Sequence, residues 1–213
     1  MIEIKDNKKW GLEVQKNSNV DLNHIEISGN SKEVYNNDDG STWYEEAIKI
    51  RDSSTGNIRD GKINDNRGRA LDIRNNSKFS LNDMEIRSNG KGSSGDTYDA
   101  IRVQNHSHLD LNRVTVSLNG RSGLDIEDYS IVHINTSTIE NNGTIGEWSN
   151  GVDVDQYSQI SLDNSTLSSA LGNGLNLNGN SKGHIRHSTI QSTYSDQWGG
   201  NAVDISHGSE ISF

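Results

Sequence analysis

Ala100-Ile101-Arg102-Val103-Gln104-Asn105-His106-Ser107-His108-Leu109-Asp110-Leu111 holds two short runs in which aliphatic residues take every second position, joined by a polar bend that ends in serine. Alternation with period 2 is the pattern of a strand whose two faces meet different surroundings. The same cadence starts again at Gly11, Ala47, Ala70, Gly123, Gly151, Gly174 and Ala202. From every start, aliphatics follow one and three positions on, as in Leu71/Ile73 and Val152/Val154. Seven positions on stands a serine each time: Ser18, Ser54, Ser77, Ser107, Ser130, Ser158, Ser181 and Ser209. A second apolar pair comes nine and eleven on, with Gly56 and Gly183 replacing its first member in two repeats. A third apolar position comes sixteen on (Ile27, Ile63, Ile86, Val116, Ile139, Leu167, Ile190), and five repeats then place asparagine at Asn30, Asn66, Asn89, Asn119 and Asn142.

Three short alternating segments per repeat predict an all-β fold, a right-handed parallel β-helix of about eight coils in which each strand pairs with its equivalent one coil away, about 4.8 Å off. This reading reconciles the composition with a stable fold. Only 30% of the 213 residues are hydrophobic, and the 21 glycines raise the figure to about 40%, below the roughly 45–50% of an ordinary globular chain. A solenoid core needs only two inward aliphatics per strand. The absence of proline suits strands in which nearly every N–H donates to a neighbour. Ile2, Ile4 and Asn7 match the last third of a preceding coil, and Phe213 falls eleven residues into the eighth. Residues 1–213 are therefore read as one β-helix domain, cut from a longer solenoid.

The small residue, the alternating aliphatics, the Asn-Ser bend and a last strand closing near Asn-Gly, as from Ala100, Gly123 and Gly151, resemble the pectin-lyase-like β-helix superfamily. Within it, the cadence is most similar to the pertactin-like passenger domains of bacterial autotransporters, which implies an extracellular or bacterial cell-surface setting. This chain is more charged and Asn-rich than such passengers. The same fold carries lyases, hydrolases, phage tailspikes and non-catalytic adhesins, so a phage tail is the alternative setting.

Starts are separated by 36, 23, 30, 23, 28, 23 and 28 residues, so every second coil is lengthened just before its first strand. The inserts, Val34–Glu46, Lys91–Asp99, Thr144–Asn150 and Thr193–Asn201, are expected to wall one long face. All four tryptophans (Trp10, Trp43, Trp148, Trp198) lie in the pre-strand segments, with Tyr44, Tyr98 and Tyr194 beside them. Rings on overhanging loops suit stacking on sugars or docking to a protein. Trp43, Tyr44, Tyr98, Trp148, Tyr194 and Trp198 are the candidate ligand-binding residues, and a glycan or a host matrix or surface protein is the expected partner. A net charge of −10 without a long basic run argues against nucleic acid, and no run of 18 apolar residues is present to form a membrane-spanning helix.

Outward positions of the first strand read Glu13, Lys49, Asp72, Arg102, Asp125, Asp153, Asn176 and Asp204. The first five alternate in sign, as a surface ladder of compensating charges would. At coils five and six the alternation breaks, and Asp125, Glu127, Asp153 and Asp155 meet. Two chemistries are open to this cluster. Carboxylates on neighbouring strands have the spacing of a glycosidase pair. Alternatively the four hold Ca²⁺, with Arg102 or Arg74 as the base of a polysaccharide lyase. Solvated surface charge is the simpler reading, and the binding role is preferred to the catalytic one; a structural stalk is the third possibility. The seven histidines are scattered; His106/His108 and His184/His187 have ligand-like spacing but no third ligand within the same repeat segment. No other cofactor is indicated.

Overall fold

The computed structural model describes residues 1–36, 42–91, 97–143, 149–169, 171–192 and 200–213, with backbone alone at 36, 42, 43 and 169. All regular structure among them is strand, wound as the predicted parallel β-helix. Eight three-residue strands, from Leu12–Val14 and Ile48–Ile50 to Val203–Ile205, pair in parallel and in chain order to form one sheet. The second and third segments of every coil form the other sheet, of twelve strands.

Here the coils differ from three uniform short strands. In the first four, the second and third segments run together as Asn19–Ser28, Thr55–Asn64, Lys78–Arg87 and His108–Ser117. Each bends at one left-handed residue, His24, Asp60, Asp83 or Arg113, and the ladder skips that residue. From coil five on the segments separate, as Ile131–Asn135 and Thr138–Asn142. The cause lies one residue past the bend. Ile25, Gly61, Met84 and Val114 give way to Ser137, Ser165 and Ser188. Each serine Oγ donates to the carbonyl two residues back, at 2.7–2.8 Å. Each also accepts a backbone N–H from the previous coil, of Val114, Ser137 or Ser165, at 3.0–3.1 Å. A side chain has taken over a ladder bond.

Inward aliphatics stack into one cluster from Val14 to Ile185. The missing side chain at Gly56 is filled from the next coil: a Cβ there would lie 2.2 Å from Cε2 of Phe79. Two polar stacks close the corners. Each repeat serine from Ser18 to Ser181 donates its backbone N–H to the Oγ of the serine one coil on, at 2.9–3.2 Å. Asn7, Asn30, Asn66, Asn89, Asn119 and Asn142 form an amide stack, each Nδ2 donating to the next Oδ1 at 2.8–3.1 Å. The corner before each repeat serine needs two successive left-handed residues, such as Asn75 and Asn76. Asn and Asp tolerate that conformation better than most. The polar composition is thus a requirement of the bends.

Candidate functional site

The outward face of the eight-stranded sheet is where inserts and charges were expected to meet, and they do, with a different consequence for coils two to four. Tyr44, Glu45 and Glu46 fold back over the strand that follows them and are buried. The Trp10 indole donates to Glu45 Oε2 at 2.7 Å. Lys49 Nζ lies 3.3 Å from both Glu45 and Glu46 and 5.3 Å from the Trp10 ring centre. Asp72 is 0% exposed, with Arg102 Nη2 at 3.6 Å and Arg74 Nε at 3.7 Å. Asp99 is buried against Arg69 at 3.6 Å. Two rungs of the ladder, Lys49 and Asp72, are therefore buried in ion pairs, while Glu13, Arg102 and Asp125 stay half-buried. Each charge that lost water had to gain partners, because an uncompensated buried charge costs several kcal/mol or more.

The same folding back changes the aromatic set. The ring of Tyr44 is 2% exposed and meets Tyr98 edge-on at 6.5 Å. Tyr98 Oη accepts the Tyr44 backbone N–H at 3.2 Å, and the Arg69 guanidinium lies 5.2 Å from the Tyr98 ring centre. Tyr44 has no face left for a ligand, and Tyr98 works as a packing partner. Trp43 lies in the two-residue strand Thr42–Trp43, antiparallel to Tyr35–Asn36, with its side chain outside the description. Trp148, Tyr194 and Trp198 lie outside the described residues.

Asp125, Glu127, Asp153 and Asp155 are brought together. Asp125 faces Asp153 across neighbouring parallel strands and Arg102 on its other side. All four carboxyls are half-buried. Burial, then the charges of Asp99, Glu127 and Asp153, push the Asp125 carboxyl up to about 7. Burial also raises Asp153, against hydrogen bonds from Asn150, Asn176 and Ser122. It raises Glu127 too, opposed by Arg102. With the Gln104 amide turned to suit its neighbours, it accepts from Arg102 at 3.2 Å and donates to Glu127 at 3.0 Å. Asp155 accepts from Asn178 Nδ2 at 3.2 Å on both oxygens and from the Gln156 N–H at 2.8 Å. This is a row of acids on neighbouring coils, capped at coil seven by the amides of Asn176 and Asn178.

Beside the row runs a feature absent from the expectations. His106, Tyr129 and Tyr157 stack at the corner, with ring centres 5.1 Å apart and planes within 11° and 5° of parallel. Both tyrosines are about half exposed, at 53% and 52%. Both have left-handed backbones, φ 60° and 62°, a region that costs a bulky residue on the order of 1 kcal/mol or more. Coils one, three and seven place Asn17, Asn76 and Asn180 there instead. The signal was in the sequence, as the residue before each repeat serine.

A family model for the right-handed beta helix region matches residues 73–213. No curated protein and no solved structure matches the chain.

Proposed function

Because the chain belongs to the right-handed β-helix family, whose fold serves several unrelated activities, we propose a role read from its own surface: a non-catalytic glycan-binding segment of a bacterial surface protein. The observation that supports it is the half-exposed His106–Tyr129–Tyr157 stack, held in strained backbone beside Glu127, Asp155 and Asn178. Aromatic surface supplies apolar contact to a sugar, and carboxylates and amides accept from and donate to its hydroxyls. Repetition at one-coil spacing suits an extended chain lying along the helix axis. The similarity of the cadence to autotransporter passengers supports the extracellular setting. A phage tailspike and a plain stalk are the competing placements.

Tyr129→Asn and Tyr157→Asn test this cleanly, since asparagine is what other coils use at the same corner. Each is expected to leave stability within about 1 kcal/mol of the parent or to raise it. Each should weaken glycan binding about tenfold, the equivalent of roughly 1.4 kcal/mol. Trp43→Ala and Trp148→Ala should also weaken binding without unfolding the chain if the inserts join the face. A glycan array with no signal above background, or binding indifferent to the tyrosines, would sink the proposal. Signal only on a matrix-protein panel would move the partner from glycan to protein.

A second reading is supported by the Asp125 carboxyl at about 7. A carboxyl that titrates near neutrality among other carboxyls is the equipment of a general acid. Asp153 or Glu127 would then be the second carboxylate of a glycoside hydrolase. In the lyase variant the cluster would hold Ca²⁺, with Arg102 as base. Incubation with polyuronates and capsular polysaccharides, with and without Ca²⁺, decides it: new reducing ends or unsaturated products that vanish in Asp125→Asn establish catalysis.

A further inference from the structure

On the other sheet, and independent of the glycan reading, coil-to-coil register assembles a ligand set that no single repeat contains. His108 and Asp110 lie two residues apart on one strand, and so point to the same side. Asp110 is paired in register with His133 of the next coil. His108 Nε2 stands 2.9 Å from Asp110 Oδ1, and His133 Nδ1 stands 3.1 Å from the same oxygen. The three donor atoms all fall within 4.8 Å of one another, and the two imidazoles meet edge to face at 4.8 Å. Lys78 Nζ sits 4.0 Å from the other oxygen, Oδ2, which leaves Oδ1 as the atom the two rings share.

We propose that His108, Asp110 and His133 bind one divalent transition-metal ion, Zn²⁺ by preference. Donors held about 2.0–2.2 Å from tetrahedral zinc lie about 3.3 Å from each other. The two edges to Asp110, at 2.9 and 3.1 Å, need to open by a few tenths of an ångström, and the edge between the imidazole nitrogens, within 4.8 Å, needs to close by up to about 1.5 Å. Side-chain rotations supply this, because the backbones are fixed by ladders on both sides. Two imidazole nitrogens and one carboxylate oxygen suit zinc, copper or nickel; calcium and magnesium prefer an all-oxygen shell. His108 and Asp110 are half-buried and His133 is exposed, so the protein would cover one side of the ion. A shallow groove of about 320 Å³, lined by His133, Gln159, Ser161, Lys182 and His184, runs beside the site. Water or an anionic ligand group in that groove would complete the coordination.

The test is calorimetric titration of Zn²⁺ into chelator-treated protein free of any histidine tag, with Ca²⁺ and Mg²⁺ in parallel. One equivalent of Zn²⁺ should bind, Co²⁺ should give the absorption bands of a low-coordinate site, and Ca²⁺ and Mg²⁺ should not compete. His108→Ala and His133→Ala should each weaken binding by well over a hundredfold, beyond the roughly 10–100-fold that loss of an outer-shell partner costs. His187→Ala, at a remote corner, should change nothing. All these side chains are on the outer side of the sheet, so the variants should fold; Asp110→Asn, nearly isosteric, repeats the test with the least disturbance. Wild-type protein that takes up no Zn²⁺, or a His108→Ala/His133→Ala double variant that binds it as tightly as the parent, overturns the proposal and leaves a hydrogen-bonded His–Asp–His contact on a wet surface.

Discussion

Replacing Asn89 by alanine is expected to destabilise the chain by about 3 kcal/mol or more, a large share of the roughly 5–15 kcal/mol that a domain holds in all. The Asn89 side chain is wholly buried. Its Nδ2 donates to Ile63 O at 2.8 Å, Arg87 O at 3.0 Å and Asn119 Oδ1 at 3.1 Å. Its Oδ1 accepts from both the backbone N and the Nδ2 of Asn66, at 3.2 and 2.8 Å. Alanine strands the Asn66 amide N–H with no water to replace the lost acceptor, and each such orphan costs about 1–3 kcal/mol. Asn89→Asp should be at least as damaging near neutral pH, because it sets a carboxylate against Ile63 O and Asn119 Oδ1. Asn135→Ala, on an exposed side chain, should stay within about 0.5 kcal/mol of the parent. Urea midpoints for the three variants check the order. An Asn89→Ala midpoint equal to that of Asn135→Ala would mean that the amide stack only decorates a core stable without it.

That stack also shows how far the sequence could be read. Serine at a fixed place in all eight repeats and asparagine in five carried both the register and the partners, because in a β-helix the same position in the next coil is the nearest neighbour. Strand pairing followed from the aliphatic columns for the same reason. What alternation could not reveal was what lay above the outward face. Lys49 and Asp72 alternate correctly and point outward, yet are buried, Lys49 against Trp10, Glu45 and Glu46 of the preceding segments and Asp72 between Arg74 and Arg102. The charges of that column were legible; the loss of water at Lys49 was decided by insert conformation, which has no period. The His108, Asp110 and His133 set escaped for a different reason. Its third member comes from the next coil, so a search within one repeat segment finds two ligands and stops. Ser137, Ser165 and Ser188 mark the split of the long strands as plainly as the repeat serines mark the first corner. Their effect depends on a carbonyl two residues back, invisible to a pattern of apolar positions.

Asp125→Asn is expected to make the protein more stable above neutrality and to leave it unchanged near pH 4. Folding raises the Asp125 carboxyl to about 7, from about 3.9 in an unfolded chain. The folded state thus holds this proton more tightly. Its contribution to stability is complete below about pH 4, is lost as pH rises from there through 7, and is gone above that. Taken at face value the three-unit shift corresponds to about 4 kcal/mol. Asp125 is half-buried rather than sealed, so water screening reduces the expected gain of the asparagine variant to about 1–3 kcal/mol at alkaline pH. Glu127 and Asp153 are raised in the same direction, so the variant's stability should still slope downward across that window, less steeply than the parent's. Denaturation midpoints measured at pH 4 and at about pH 8.5 give both numbers. Ca²⁺ adds a discriminating arm. An ion held by these carboxylates would favour their charged forms and lift the parent toward the variant at alkaline pH. If the four acids serve only as glycan acceptors, Ca²⁺ should leave the gap between them untouched. A parent already as stable as Asp125→Asn at alkaline pH would show that the acids are relieved by water, and with that the case for Asp125 as a general acid near neutrality would fall.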